Sequence, residues 1–371
     1  MVRAAVYRWV RAILFLLPAE AAHRLGILAL RLLGRAPALC RRRRASATRS
    51  SVDLSVQAAG LALPNPIGLA AGLDKNAEAI PGLFALGFGA VEIGTATPRA
   101  QPGNPMPRLF RIPEQQALIN RMGFNNDGAV EIARRVSQLA WRPGPIGGNV
   151  GKNWDTPIER AFEDYAQCAV RLAPVCDYLV VNASSPNTPG LRELQEPDRL
   201  GAVLAAVRSA SATAGKRTPL FVKIAPDLTE PELERVVQVA LDCGGEGLIA
   251  TNTTVQRPFA HALSAEPGGL SGAPLRDMAT NAVRRAYAYS QGRLCIVGTG
   301  GIFNGADAYE KIRAGASWVQ LYTALVYRGP GLVTQMLREL EQLLVRDGFS
   351  RLADAVGSAA RSEARISRSG R

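Results

Sequence analysis

"CIVGTGGIFNGADAYEKIRAGASWVQLYTAL", from Cys295 to Leu325, reads as a strand, a glycine-rich loop, a helix and a second strand. The two flanks, Cys295 to Ile302 and Trp318 to Leu325, are short apolar runs without polar alternation, and a helical pattern at 305–314 separates them. Strands that are apolar on both faces and joined through a helix belong to a parallel sheet covered by helices.

The same unit recurs on the N-terminal side. Further strand candidates are "NPIGLAAGL" (65–73), "GAVEIGT" (89–95), "GPIGGNV" (144–150), "YLVVNAS" (178–184), "PLFVKIAP" (219–226) and "GLIATNT" (247–253). Helical patterns fall at 77–86, 128–139, 157–172, 198–214, 229–243, 274–290 and 330–344. Eight strand–helix repeats predict an α/β fold, a closed (β/α)₈ TIM barrel, rather than an open sheet. The barrel domain is assigned to residues 46–346, after an N-terminal segment at 1–45 and before a tail at 347–371 that is expected to be flexible.

The net charge of +13 is unevenly distributed. Residues 1–50 hold eleven Arg and one Glu, a net +10, so +3 is left for the other 321 residues. The barrel therefore has no basic surface that calls for nucleic acid. Within the basic segment, "VYRWVRAILFLL" (6–17) and "EAAHRLGILALRLL" (20–33) mix apolar stripes with arginine, Pro18 breaks them apart, and "RRRR" follows at 41–44. A pair of amphipathic helices lying on an anionic membrane surface fits this pattern, and neither piece has the roughly 18 uncharged residues of a spanning helix. A signal peptide competes, but its core "AILFLLP" is short and no small-residue cleavage site follows. A soluble helical cap on the barrel is the third reading.

Five cysteines without a CxxC pair and two histidines, His23 and His261, give no metal cluster, so no metal is expected. The chemistry gathers instead where barrel enzymes keep it, at the C-terminal ends of the strands. Asp74 and Lys75, Thr95, Asn149 and Lys152, Asn182 to Asn187, Lys223, Asn252 and Thr253, Gly300 and Gly301, and Tyr322 and Thr323 all fall there. Gly298, Gly300 and Gly301 suit a phosphate at a helix start, so a phosphorylated cofactor or substrate is expected. Lys223 sits inside an apolar strand, and four roles stay open for it: Schiff base, structural ion pair, phosphate ligand, or donor to an electron-rich ring. The asparagines offer donor and acceptor together, as a planar heterocycle with amide and imide edges requires.

Taken in order, "NPIGLAAGLDKN", "EIGTATPRAQPGNPMPRLFR", "LINRMGFNNDG", "NVGKN", "NASSPNTPGLRELQ", "VKIAPDL", "IATNTT", "GGLSGAPL" and "GTGGI" resemble segments of the dihydroorotate dehydrogenases. The resemblance covers roughly residues 5–345 and extends to the quinone-linked, membrane-associated class 2 enzymes, which carry serine where the soluble class has cysteine. It implies oxidation of (S)-dihydroorotate to orotate in pyrimidine (UMP) biosynthesis, with FMN passing electrons to a membrane quinone.

Residue by residue, the resemblance makes Ser185 the catalytic base. It gives substrate contacts to Lys75, Asn120, Arg121, Met122, Gly123, Phe124, Asn182, Asn187, Asn252 and Thr253. FMN contacts fall to Ala71, Gly72, Leu73, Asp74, Lys75, Thr95, Asn149, Asn182, Lys223, Thr251, Gly272, Gly301, Tyr322 and Thr323. His23 and Arg111 resemble quinone-tunnel residues. A monomer on the cytoplasmic face of a bacterial inner membrane is expected. What activates Ser185 does not follow from its neighbours, and Ser184 is assigned a structural role because strand alternation points it elsewhere. A soluble enzyme using fumarate or a nicotinamide is the nearest alternative; a non-enzymatic flavin-binding scaffold would leave the asparagines unexplained.

Overall fold

A computed structural model describes residues 2–41 and 51–359. Among them the strands are β1 (Val56–Ala58), β2 (Leu61–Leu63), β3 (Ile67–Leu69), β4 (Ala90–Ala96), β5 (Leu109–Ile112), β6 (Ala117–Asn120) and β7 (Ile146–Val150), followed by β8 (Tyr178–Asn182), β9 (Leu220–Ile224), β10 (Gly247–Ala250), β11 (Gly269–Gly272), β12 (Cys295–Thr299) and β13 (Ala316–Leu321). The eight expected strands close a barrel in the order β3-β4-β7-β8-β9-β10-β12-β13, with every pairing parallel. The opening stretch spans β12, helix Gly305–Ala314 and β13, and β12 pairs directly with β13.

Two sheets were not foreseen. A short antiparallel hairpin, β1-β2, precedes the barrel, and an antiparallel sheet β11-β6-β5 stands apart from it. In that sheet Asn120 faces both Leu109 and Gly269, so it joins chain segments that are remote in sequence. Its strands are four residues long, too short for alternation to announce them.

The barrel interior is filled by aromatic side chains. The rings of Tyr178, Phe221 and Trp318 meet edge to face with centroids 5.3–6.4 Å apart. Gly147 and Gly247 make room, since a Cβ there would stand 2.2 Å from the Tyr178 ring and 2.3 Å from that of Phe221. Side-chain filling of this kind makes a barrel a packed core with chemistry at its rim.

The N-terminal helices are α1 (Val2–Leu16) and α2 (Ala19–Gly34). The Tyr7 hydroxyl donates to the Val326 carbonyl at 2.8 Å and Arg11 donates to that of Tyr327 at 2.9 Å, so α1 is tied to the barrel by its polar groups. Phe15 packs edge to face on the Tyr327 ring, whereas other apolar groups face outward: Trp9 is 78% exposed, Ile13 65% and Leu16 85%, and Leu25, Leu28 and Leu32 of α2 are also exposed. The arginine run beyond Arg41 and the domain boundary at 45 lie outside the described residues. α2 packs on helix α3 (Ile80–Ala85) through Gly82, where a Cβ would fall 2.1 Å from the Leu30 carbonyl oxygen. Gly82→Val should therefore force the two helices apart and cost about 1–3 kcal/mol in thermal unfolding; an unchanged melting temperature would mean that α2 is not held at this contact.

The segment assigned to the tail is in part docked. Leu352–Ala355 is a short helix with Leu352 and Ala355 buried, and Arg351 bridges to Asp53. A helix of four residues is too short for periodicity to signal it. Residues 360–371 lie outside the described residues.

Candidate active site

A cavity opens at the C-terminal end of the barrel, roofed by the β5-β6-β11 sheet. On its wall stand Ala71, Gly72, Lys75, Thr95, Asn120, Met122, Gly123, Phe124, Asn182, Ser185, Asn187, Lys223, Thr251, Asn252, Thr253, Gly272, Gly301, Tyr322 and Thr323, all expected from sequence. Strands far apart in sequence bring these residues together because their last residues all end at one rim.

The two serines differ sharply. Ser185 faces the cavity, and its Oγ accepts the Asn187 backbone N–H at 3.3 Å. Ser184 is fully buried behind it, and its Oγ accepts from Asn252 Nδ2 at 3.1 Å. Asn187 Nδ2 donates to Asn120 Oδ1 at 3.1 Å, while Asn187 Oδ1 and Thr253 Oγ1 are buried without a hydrogen-bond partner. Such orphaned atoms carry a desolvation cost that a polar ligand would relieve.

Behind the cavity runs a connected amide network. Thr95 Oγ1 donates to Asn149 Oδ1 at 2.5 Å, and Asn182 Nδ2 donates to Thr95 Oγ1 at 2.8 Å and to Asn149 Oδ1 at 3.1 Å. Asn252 Nδ2 donates to Asn182 Oδ1 at 3.2 Å. Asn149 itself does not line the cavity; it stands behind Thr95 and fixes it.

At the far end, Gly300 and Gly301 approach the start of helix Arg276–Ser290. Gly301 has φ +69, and a Cβ there would stand 2.3 Å from Arg276 Cα, so only glycine fits. The Thr323 and Ser271 hydroxyls meet at 2.9 Å beside it. Orphaned polar atoms, a lysine aimed into the cavity and a glycine-walled end together fit a planar, phosphorylated cofactor such as FMN. Sequence reasoning missed the hydroxyls of Ser271 and Thr299 and the apolar part of the wall, Leu109, Leu118, Leu275, Ile302, Phe303 and Leu321, whose residue types carry no signal.

Other expected site residues lie elsewhere. Arg121 pairs with Glu266 at 2.6 Å and stacks over Phe110, away from the cavity. Asp74 accepts the N–H groups of Glu78 and Ala79 at 2.9 and 2.8 Å, so its carboxylate organises the chain leading into α3. Leu73, Asp74 and His23 line a second cavity between α2 and the barrel, together with Glu20, Arg24, Ile27, Leu28 and Arg31. Lys75 and Met122 stand on the walls of both. Burial pushes the His23 imidazole down to about 3, with Lys75 acting in the same direction. Arg111 lines neither cavity; its guanidinium donates to the Leu14 and Leu17 carbonyls at the end of α1 and covers the Phe15 ring.

The family profile of dihydroorotate dehydrogenase matches residues 53–344. The chain belongs to the dihydroorotate dehydrogenase family. It is 56% identical over 354 residues to the dihydroorotate dehydrogenase (quinone) of Myxococcus xanthus, covering 95% of this chain and 98% of that one. The protein of the same name from Deinococcus radiodurans is 47% identical over 368 residues, covering 95% of this chain and 100% of its own. Among solved structures, dihydroorotate dehydrogenase from Eimeria tenella in complex with ferulenol superposes with a TM-score of 0.79 at 43% identity, covering 83% of this chain and 89% of that one. As a dihydroorotate dehydrogenase, the chain is an FMN-dependent oxidoreductase that converts dihydroorotate to orotate in pyrimidine biosynthesis. Among its described residues no helix is long and apolar enough to cross a membrane.

Proposed function

We propose that the rim cavity holds (S)-dihydroorotate against FMN, that Ser185 is the base, and that electrons leave to a membrane quinone. The observation that carries this is the convergence of the Ser185 hydroxyl, four asparagines and two lysines on a glycine-ended cavity. Bound FMN supplies the two-electron acceptor for the hydrogen lost from C6. Ala71, Gly72, Thr95, Thr251 and Lys223 would line its ring, and Gly272, Gly301, Tyr322 and Thr323 its phosphate side. Asn120, Asn182, Asn187, Asn252 and Thr253 would hold the amide and imide edges of the substrate, matching donors to acceptors at fixed positions. Met122, Gly123 and Phe124 would pack around it, and Ser185 would take the proton from C5. The Asn187 N–H on Ser185 Oγ would stabilise negative charge as it develops there.

Lys75 would meet the substrate carboxylate. Burial pulls its ammonium down to about 8, and Glu20 opposes that shift. Because the folded pKa lies below the ordinary lysine value, the charge is present below about pH 8 and is lost above it. KM for dihydroorotate should rise above that pH, and in Glu20→Gln the rise should begin lower. A KM flat to pH 9.5 would remove Lys75 from carboxylate binding.

The outward apolar faces of α1 and α2, above a cavity that shares Lys75 and Met122 with the first, support entry of a long-tailed quinone from a bilayer. His23, neutral on that wall, would stand along the path, and Arg111 would serve it by holding the end of α1. These features support a peripheral protein on the cytoplasmic face of a bacterial inner membrane, binding anionic lipid through its basic N-terminal segment. The decisive assay is anaerobic. Dihydroorotate should bleach the yellow protein, and a quinone, not fumarate or NAD, should restore its colour; recovery with fumarate or NAD would overturn the quinone assignment.

A further inference from the structure

Glu92 lies in the middle of β4, fully buried, and no part of the reaction described above uses it. Its two oxygens are matched by two amide donors: Asn149 Nδ2 reaches Oε1 at 2.8 Å and Gln320 Nε2 reaches Oε2 at 2.7 Å. Lys223 Nζ stands 3.9 Å from Oε1. That separation is within Coulomb range and beyond hydrogen-bond range, so the carboxylate offsets the ammonium's burial without occupying its donors. The donors stay available to the cavity that Lys223 lines.

We propose that Glu92 is a positioning residue for the flavin site, whose buried negative charge keeps the Lys223 ammonium protonated opposite the cofactor ring. The proposal rests on the FMN reading of the cavity. Burial pulls the Lys223 pKa down, and the Glu92 carboxylate pushes it back up. The other neighbours offer little: the register partners of Lys223 on β8 and β10 are Asn182 and Ile249, neither titratable. Nearby, the Tyr178 hydroxyl lies 3.4 Å from Gln320 Nε2 and is kept neutral by burial and by the same Glu92.

The hydrogen-bond pattern makes Glu92→Gln an unusually selective test. A glutamine at 92 can accept from only one of the two amides and must donate to the other. Asn149 cannot turn over, because its Oδ1 accepts from both Thr95 and Asn182. Gln320 can, because its other contacts are the hydroxyls of Thr299, 3.3 Å away, and Tyr178, and a hydroxyl can reverse its role. The variant thus loses the charge and keeps the network.

The experiment follows the midpoint potential of bound FMN against pH in wild type, Glu92→Gln, Lys223→Met and the double variant Glu92→Gln/Gln320→Glu, with thermal unfolding alongside. A lysine that loses its proton in the oxidised protein and regains it on reduction steepens the dependence above its pKa. In Glu92→Gln the steepening should begin at a pH lower than in wild type by about one unit or more, it should be absent from Lys223→Met, and moving the carboxylate to position 320 should bring it back toward wild type. Coincident curves for wild type and Glu92→Gln overturn the proposal. Should Glu92→Gln lose FMN or its fold, restoration by Gln320→Glu supports the charge role, and failure to restore refutes it. Wild-type protein that binds no FMN would remove the flavin reading itself, and the proposal with it; FMN bound with coincident curves removes the role of Glu92 alone.

Discussion

Ser185→Ala should lower the rate of flavin reduction by dihydroorotate about 10²- to 10⁴-fold while FMN stays bound. Among the described residues, no carboxylate, imidazole or thiol stands on the cavity wall to take its place. Lys75 and Lys223 are cationic donors in their working form, and burial pushes the Tyr322 phenol up to about 12, so it stays protonated. Ser184, its neighbour in the loop, is turned into the amide network and does not line the cavity. The Asn187 N–H on Ser185 Oγ favours charge at that oxygen but does not itself remove the proton, so the hydroxyl must pass it on to water. Stopped-flow reduction under anaerobic conditions isolates this half-reaction from quinone chemistry. Near-normal reduction in Ser185→Ala would exclude the base role; a loss of FMN would show that the serine holds the cofactor site instead.

A chain beginning at residue 46 should lose vesicle co-sedimentation and reduce a long-tailed quinone at least about 10-fold more slowly, while its reduction by dihydroorotate persists. The N-terminal helices supply the exposed Trp9, Ile13, Leu16, Leu25, Leu28 and Leu32, and none of their residues lines the first cavity. They are held to the barrel by apolar packing of Phe15, Ile27, Leu30 and Leu33 and by polar links: Arg108 makes a bidentate pair with Glu20 at 2.7 and 3.1 Å and also donates to the Pro102 and Asn104 carbonyls. Asn104 in turn donates to the Asn187 carbonyl at 3.2 Å, so α2 is connected by hydrogen bonds to the loop that carries Ser185. The truncation tests whether that connection is needed for chemistry or only for delivery of the acceptor. Normal quinone turnover and vesicle binding without the helices would separate them from both; loss of flavin reduction as well would assign them a part in building the substrate site.

The barrel was legible because its strands are buried on both faces and most of its crossover helices are amphipathic, patterns written over contiguous residues; helix Ile80–Ala85, buried almost all round, is the exception. The boundaries moved inward by a few residues: the strand read as 65–73 is only Ile67–Leu69, because the chain after it turns out of the ladder to form the cavity wall. Most of the polar rim was legible too, since amides, lysines and glycines at strand ends conflict with the apolar runs that precede them. Arg121 and Arg111 were less so. A guanidinium reaches about as far backward as forward, and its choice of Glu266 or of the α1 carbonyls depends on segments that are remote in the chain.

By itself, then, the sequence determined the (β/α)₈ repeat, the basic amphipathic N-terminal pair and the family to which the motifs belong, because each is recorded in local periodicity or in contiguous residues. Tertiary structure alone decided that Asn120 meets Asn187 across the roof and that Glu92 stands 3.9 Å from Lys223. Those relations depend on closure of the barrel, which sets residues from β4, β8, β9 and β13 side by side although more than 200 positions separate Glu92 from Gln320. No local pattern encodes a distance that exists only once the first strand has met the last.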